Sequence, residues 1–136
     1  MNARQWLGRC RGIEKEIRTL ERAEQETRLQ LERITQNYAA EPVGGTKDPH
    51  KYDRLAEYAN MLQRKRIELV EVKAEVTAAI YEITDGRLRN VLMSYYINCQ
   101  SLEQIAADAN YSYRHVKRLR RFGEIEIENN MAHIVP

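Results

Sequence analysis

The sequence predicts an all-α chain: a long helical hairpin (coiled coil) followed by a three-helix helix-turn-helix domain. Three observations predict it. Pro and Gly are scarce, while Glu, Arg, Leu, Ile and Ala abound. Apolar residues recur at 4-3 spacing through the first 38 residues. From residue 85 onward, short apolar segments alternate with tight polar turns. A length of 136 residues fits one small domain with an extension. The expected divisions are a hairpin over 1–84, a helix-turn-helix domain over 85–122 and a tail over 123–136.

The first helix rests on its periodicity. Trp6, Cys10, Ile13, Ile17, Leu20, Glu24, Thr27, Leu31, Ile34 and Tyr38 form one uninterrupted seam, polar only at Glu24 and Thr27. At about 1.5 Å per residue such a helix is roughly 50 Å long, and it cannot bury its seam alone. Pro42, Gly44–Gly45 and Pro49 then oppose continuation, so residues 39–50 read as a loop. From Lys51 to Ile83 the helical pattern resumes with Leu55, Ala59, Leu62, Leu69, Val76, Ile80 and Ile83 on one stripe. Arg66 and Lys73 fall in register with that stripe, and Val70 and Val72 widen it. An antiparallel hairpin within one chain satisfies both helices. A dimer through the first helix satisfies them as well, and the sequence does not choose.

Thr84-Asp85-Gly86 breaks the pattern, and Asp85 is placed to cap the next helix. Residues 87–97 form that helix, with Leu88, Val91, Leu92, Tyr95 and Tyr96 inward. Asn98-Cys99-Gln100 is a turn, and Ser101 with Gln104 makes a capping-box-like pair. The helix after the turn buries Leu102, Ile105, Ala106 and Ala109, its small residues allowing close approach. Asn110-Tyr111 turns the chain, and Ser112 caps a last helix that buries Val116 and Leu119. Gly123 favours ending that helix. Beyond it Glu124, Glu126 and Glu128 alternate with Ile125 and Ile127, a period of two rather than 3.6.

Charge is focused rather than large. The net charge is +2, yet residues 86–121 carry seven Lys/Arg against two Asp/Glu. Five of those cations, Arg114, Lys117, Arg118, Arg120 and Arg121, come after Ser112 with no acid among them. With Val116 and Leu119 inward, the residues Tyr113, Arg114, Lys117, Arg118 and Arg121 face outward and His115 sits at the margin. The second helix of such a motif enters the major groove of DNA. There Arg pairs bidentately with guanine, while Lys, Tyr and a capping Ser reach phosphate. The expected DNA-binding set is therefore Ser112, Tyr113, Arg114, His115, Lys117, Arg118 and Arg121, with double-stranded DNA as partner.

Other chemistries find little support. Cys10 and Cys99 lack metal-ligand spacing, and His50, His115 and His133 lie far apart, so no metal or cofactor is expected. No phosphate loop or nucleophile elbow is present, and no enzyme is expected. No signal-peptide-like run or membrane span is found, which predicts a cytoplasmic chain that does not engage membranes. Trp6 and Cys10 read as packing residues, and Tyr95, Tyr96 and Tyr111 as packing rather than base-stacking residues.

The segment VLMSYYINCQSLEQIAADANYSYRHVKRL, residues 91–119, resembles the region-four helix-turn-helix of the sigma-70 family. It is similar, more closely, to small phage-encoded transcriptional activators of Gram-positive bacteria, the ArpU/RinA-like group. The helix VLMSYYI, the core SLEQIA, the turn NYS and the V-x-x-L of YRHVKRL carry the resemblance. It implies a phage or prophage activator of late genes in the bacterial cytoplasm, with host RNA polymerase as a further partner. By position, Tyr113, Arg114, Lys117 and Arg118 match base- and backbone-contacting sites. Self-association through the coil, a dimer above all, is expected. No promoter-melting region is present, so a complete sigma factor is not implied. Two alternatives stay open: a small terminase subunit, and a protein-interaction module that contacts polymerase.

Overall fold

The computed structural model describes residues 1–39, 50 and 52–132. All regular structure among them is helical: α1 (Ala3–Leu7), α2 (Arg9–Ala39), α3 (Asp53–Ile80), α4 (Gly86–Leu92), a π-helical turn (Met93–Ile97), α5 (Leu102–Ala109) and α6 (Tyr113–Ala132). Of the expected loop over 39–50, residues 40–49 lie outside the described residues, as do 133–136 of the tail. The chain forms two compact units, one of Ile13–Glu68 and one of Met1–Gly12 with Leu69–Pro136.

In the first unit, α2 and α3 pair within one chain. Lys65 Nζ meets Glu16 Oε2 at 2.8 Å, and Arg66 Nη2 meets Glu21 Oε1 at 3.4 Å. Ile13, Ile17 and Leu62 are buried between them, while Leu29 and Ile34 stand exposed. Lys65 is half-buried on α3, and hydrogen bonding to Glu16 raises its pKa above the ordinary lysine value. Of the two arrangements that satisfy both helices, the chain adopts the intrachain hairpin over Ile13–Glu68. Two expectations for α3 change: Ala59 is exposed, and of the pair Val70 and Val72 only Val72 is buried.

The second unit holds the larger core, and the first dozen residues belong to it. The Asn2 side chain accepts from the Gln5 N–H at 2.8 Å and Gln5 answers to the Asn2 N–H, a capping box that starts α1. A turn at Gly8 separates α1 from α2, so the long first helix is interrupted. Leu7, rather than Trp6, is fully buried as a result. Trp6 is half-buried beneath the Arg9 guanidinium, 4.8 Å from its ring centre.

Two further corrections concern register. The helix expected over 87–97 passes into a π turn at Met93, with Asn98 N–H donating to Met93 O. A π turn inserts one residue into the helical register. Of the two tyrosines expected inward, Tyr96 is buried and Tyr95 is half-buried, and Ile97 joins the core beside them. The second correction is α6, which runs straight through Gly123 to Ala132. Gly123 is a contact residue, not a stop. A Cβ built there would lie 2.8 Å from Leu92 Cδ1 and 2.9 Å from Leu92 Cγ. Leu119, Gly123 and Ile127 recur every four residues and are all buried, whereas Ile125 is exposed. The Glu/Ile alternation hides this helical period.

Candidate nucleic-acid interface

The turn that joins α5 to α6 is built from local chemistry. Ser101 Oγ accepts from the Gln104 N–H at 3.1 Å and starts α5. Asn110 ends it in the left-handed region, at φ 56° and ψ 38°. Asn tolerates that conformation because its short side chain reduces the steric penalty. Tyr111 N–H reaches Ala106 O at 2.9 Å and Asn110 N–H reaches Ala107 O, the paired bonds of a Schellman motif. Ser112 Oγ then accepts from the His115 N–H at 3.1 Å and opens α6. Ile105 and Ala106 of α5 and Val116 and Leu119 of α6 are buried. Ala109, expected inside, is exposed at the end of α5.

The outer side of α6 carries the charge. Tyr113, Arg114, Lys117, Arg118 and Arg121 are all exposed. At about 100° per residue they cover an arc of roughly 140°. Among the described residues, none of these four cations is held in an ion pair. Lys117 Nζ lies 5.9 Å from the Tyr113 ring centre, so both side chains lean along the same edge. His115 is half-buried and packs edge-on against Tyr111, their ring centres 4.8 Å apart. Ser112 is exposed at the helix start. The seven expected site residues thus lie together on one helix end.

Arg120 does not share their position. Its side chain is 12 % exposed, and its Nε lies 3.3 Å from Glu124 Oε1. Its guanidinium also lies over the Tyr95 ring, 4.9 Å from the centre. Arg11 covers the same ring at 4.2 Å and donates to Tyr95 O at 2.7 Å.

Glu124 organises the underside of α6, and sequence reasoning missed it. It is 3 % exposed, the only charged residue among the described residues in the core. Tyr96 Oη donates to Glu124 Oε1 at 2.8 Å, and Arg4 Nε approaches the same oxygen at 3.4 Å. Burial, reinforced by the bond to Glu124, pushes the Tyr96 hydroxyl well above the ordinary tyrosine range. The Glu124 charge raises the Arg4 pKa. Ala3 N–H donates to Glu128 Oε2 at 2.8 Å one turn further on. The signal available in sequence was the Arg120/Glu124 spacing of four, which favours a helical ion pair.

At the start of α4, Asp85 accepts from the Arg87 N–H at 2.9 Å. Hydrogen bonding to the Arg87 side chain lowers the Asp85 pKa. Among the described residues no cluster of His, Cys, Asp or Glu could hold a metal ion. No helix among them is long and apolar enough to cross a membrane. Cys10 is buried and Cys99 half-buried, and neither forms a disulfide. No family model, curated protein or solved structure matches the chain.

Proposed function

We propose that this chain is a sequence-specific DNA-binding transcription regulator that inserts the first half of α6 into the major groove. The observation that carries the reading is the set of four unpaired, outward cations on a helix held from behind by Val116, Leu119 and the Glu124 cluster. Arg114 and Arg118 are the base readers, each able to pair with guanine O6 and N7. Lys117, Arg121, Tyr113 and Ser112 contact phosphate and set the register, and His115 flanks them. The resemblance to ArpU/RinA-like proteins supports a phage or prophage setting in the bacterial cytoplasm, activation of late genes and contact with host RNA polymerase. The chain acts by binding and not by catalysis.

The test is fluorescence anisotropy against a random-sequence duplex library across a salt series, with sequencing of the bound pool. The expected result is a steep salt dependence and an enriched motif. Arg114→Ala and Arg118→Ala should each weaken binding by about 1–3 kcal/mol and relax preference at one position. No binding at low salt, or unchanged affinity in the double variant, refutes the proposal.

A further inference from the structure

Arg11 lies near the start of α2, away from the outward face of α6, yet it is tied to the elements that hold α5 and α6. Its Nη1 donates to Tyr95 O at 2.7 Å and approaches Gln100 O at 3.4 Å. Tyr95 belongs to the π turn that follows α4, and Gln100 immediately precedes Ser101, the cap of α5. One guanidinium thus spans the turn into α5. That turn needs a hold from outside. Cys99 sits within it at φ 55°, a left-handed conformation that a side chain disfavours and that persists only when its surroundings impose it. The end of a helix also leaves carbonyls without an intrahelical donor. Met93 O accepts from the Asn98 N–H and Ser94 O from the Gln100 N–H, each at 3.0 Å, and Arg11 supplies the donor for Tyr95 O.

The same guanidinium reaches α6 through an aromatic ring. It lies over Tyr95, 4.2 Å from the ring centre, and the Arg120 guanidinium of α6 lies 4.9 Å from the same centre. Tyr95 packs edge-on against Tyr96 at 4.8 Å, and Tyr96 and Arg120 both end on Glu124. Arginine suits the place because its planar group stacks on an aromatic face while its edge donates to carbonyls; a lysine ammonium does not do both. We infer that Arg11 is a positioning residue for DNA recognition: it fixes the turn into α5 and, through Tyr95, the seat of Arg120, so that α6 meets the groove at one angle. Arg11 touches no DNA itself, since it is half-buried and occupied by Tyr95 and the two carbonyls. The inference rests on the DNA-binding reading. Recognition groups must be held within about 0.5 Å and 10–20° of their working geometry. Loosening α6 therefore costs base reading before it costs attraction to phosphates.

Arg11→Lys keeps the net charge and tests the geometry alone. Anisotropy titrations of the full chain compare the duplex sequence enriched from the random library with an unselected duplex of equal length. The expected result is about a tenfold loss on the selected duplex, comparable to losing one base-reading arginine, with little change on the unselected duplex and an unchanged salt slope. A smaller folded fraction would weaken binding to both duplexes by the same factor, so the ratio of the two affinities separates positioning from stability. Tyr95→Leu should lower that ratio likewise, and Tyr95→Phe, which keeps the ring, should leave it at the wild-type value. In the NMR spectrum of the DNA-free chain the Arg120 Nε–Hε signal should shift in Arg11→Lys. A wild-type ratio in Arg11→Lys, or an equal loss on both duplexes, overturns the inference and leaves the DNA-binding reading standing. An unmoved Arg120 signal overturns it as well. A wild-type chain that enriches no sequence sinks the DNA-binding reading, and the inference falls with it.

Discussion

Gly123→Ala should destabilise this protein, against the usual sign for glycine in a helix. Alanine gains roughly 1 kcal/mol over glycine at an open helical position. At Gly123 the new methyl would sit 2.8, 2.9 and 3.1 Å from Leu92 Cδ1, Cγ and Cδ2. Three atoms of one side chain must move together, and Leu92 is fully buried. Overpacking of this kind costs about 1–3 kcal/mol, so the net expectation is a loss of about 1 kcal/mol. Gly12 is the control. It lies in α2, is exposed, and its added Cβ meets nothing within 4 Å. Gly12→Ala should therefore gain about 0.5–1 kcal/mol. Thermal melts monitored at 222 nm should move in opposite directions, by roughly 3–5 °C per kcal/mol. If Gly123→Ala melts higher than wild type, α4 and α6 do not cross as closely as these distances require, and the reason for continuing α6 through Gly123 is wrong.

Two more expectations concern the ground beneath α6. The Tyr96 pKa is raised from 10.0 in the folded state, so that state keeps a proton the unfolded chain has lost at high pH. Its contribution is complete below pH 10 and disappears as pH climbs further. Tyr96→Phe should flatten the alkaline loss of stability and cost about 1.5–3 kcal/mol at neutral pH through the lost bond to Glu124; an unchanged alkaline slope in urea melts counts against the assignment. Arg118→Ala and Arg120→Ala remove the same charge two residues apart but should separate cleanly. Arg120→Ala should lose about 3 kcal/mol of stability by orphaning part of the buried Glu124, while Arg118→Ala should stay within about 0.5 kcal/mol of wild type and lose DNA affinity instead; equal melting temperatures for the two would refute the distinction.

Much of the site was legible because its signals are local. Ser101, Ser112 and Asp85 cap helices through side chains that reach only two or three residues ahead. The outward row from Tyr113 to Arg121 comes from helical periodicity once Val116 and Leu119 are set inward. Arg120 was grouped with the other cations because charge alone does not reveal a partner four residues away that is itself buried. Glu124 stands in a Glu/Ile alternation that carries no sign of burial: an acid becomes a core residue only when Tyr96, Arg4 and Arg120 converge on it.

By itself the sequence determined the helical class, the caps, the turn at Asn110–Ser112 and the concentration of charge on one helix end. These depend on spacing and on side chains that bond to nearby backbone. The tertiary structure decided what distance in sequence conceals. It paired α2 with α3 within one chain, drew Met1–Gly12 to the C-terminal helices, inserted a π turn at Met93–Ile97 and extended α6 to Ala132. Each of these outcomes is set by which surfaces exclude water together. Gly123 marks the difference most clearly: alone it is a helix breaker, and against Leu92 it is the residue that lets two helices touch.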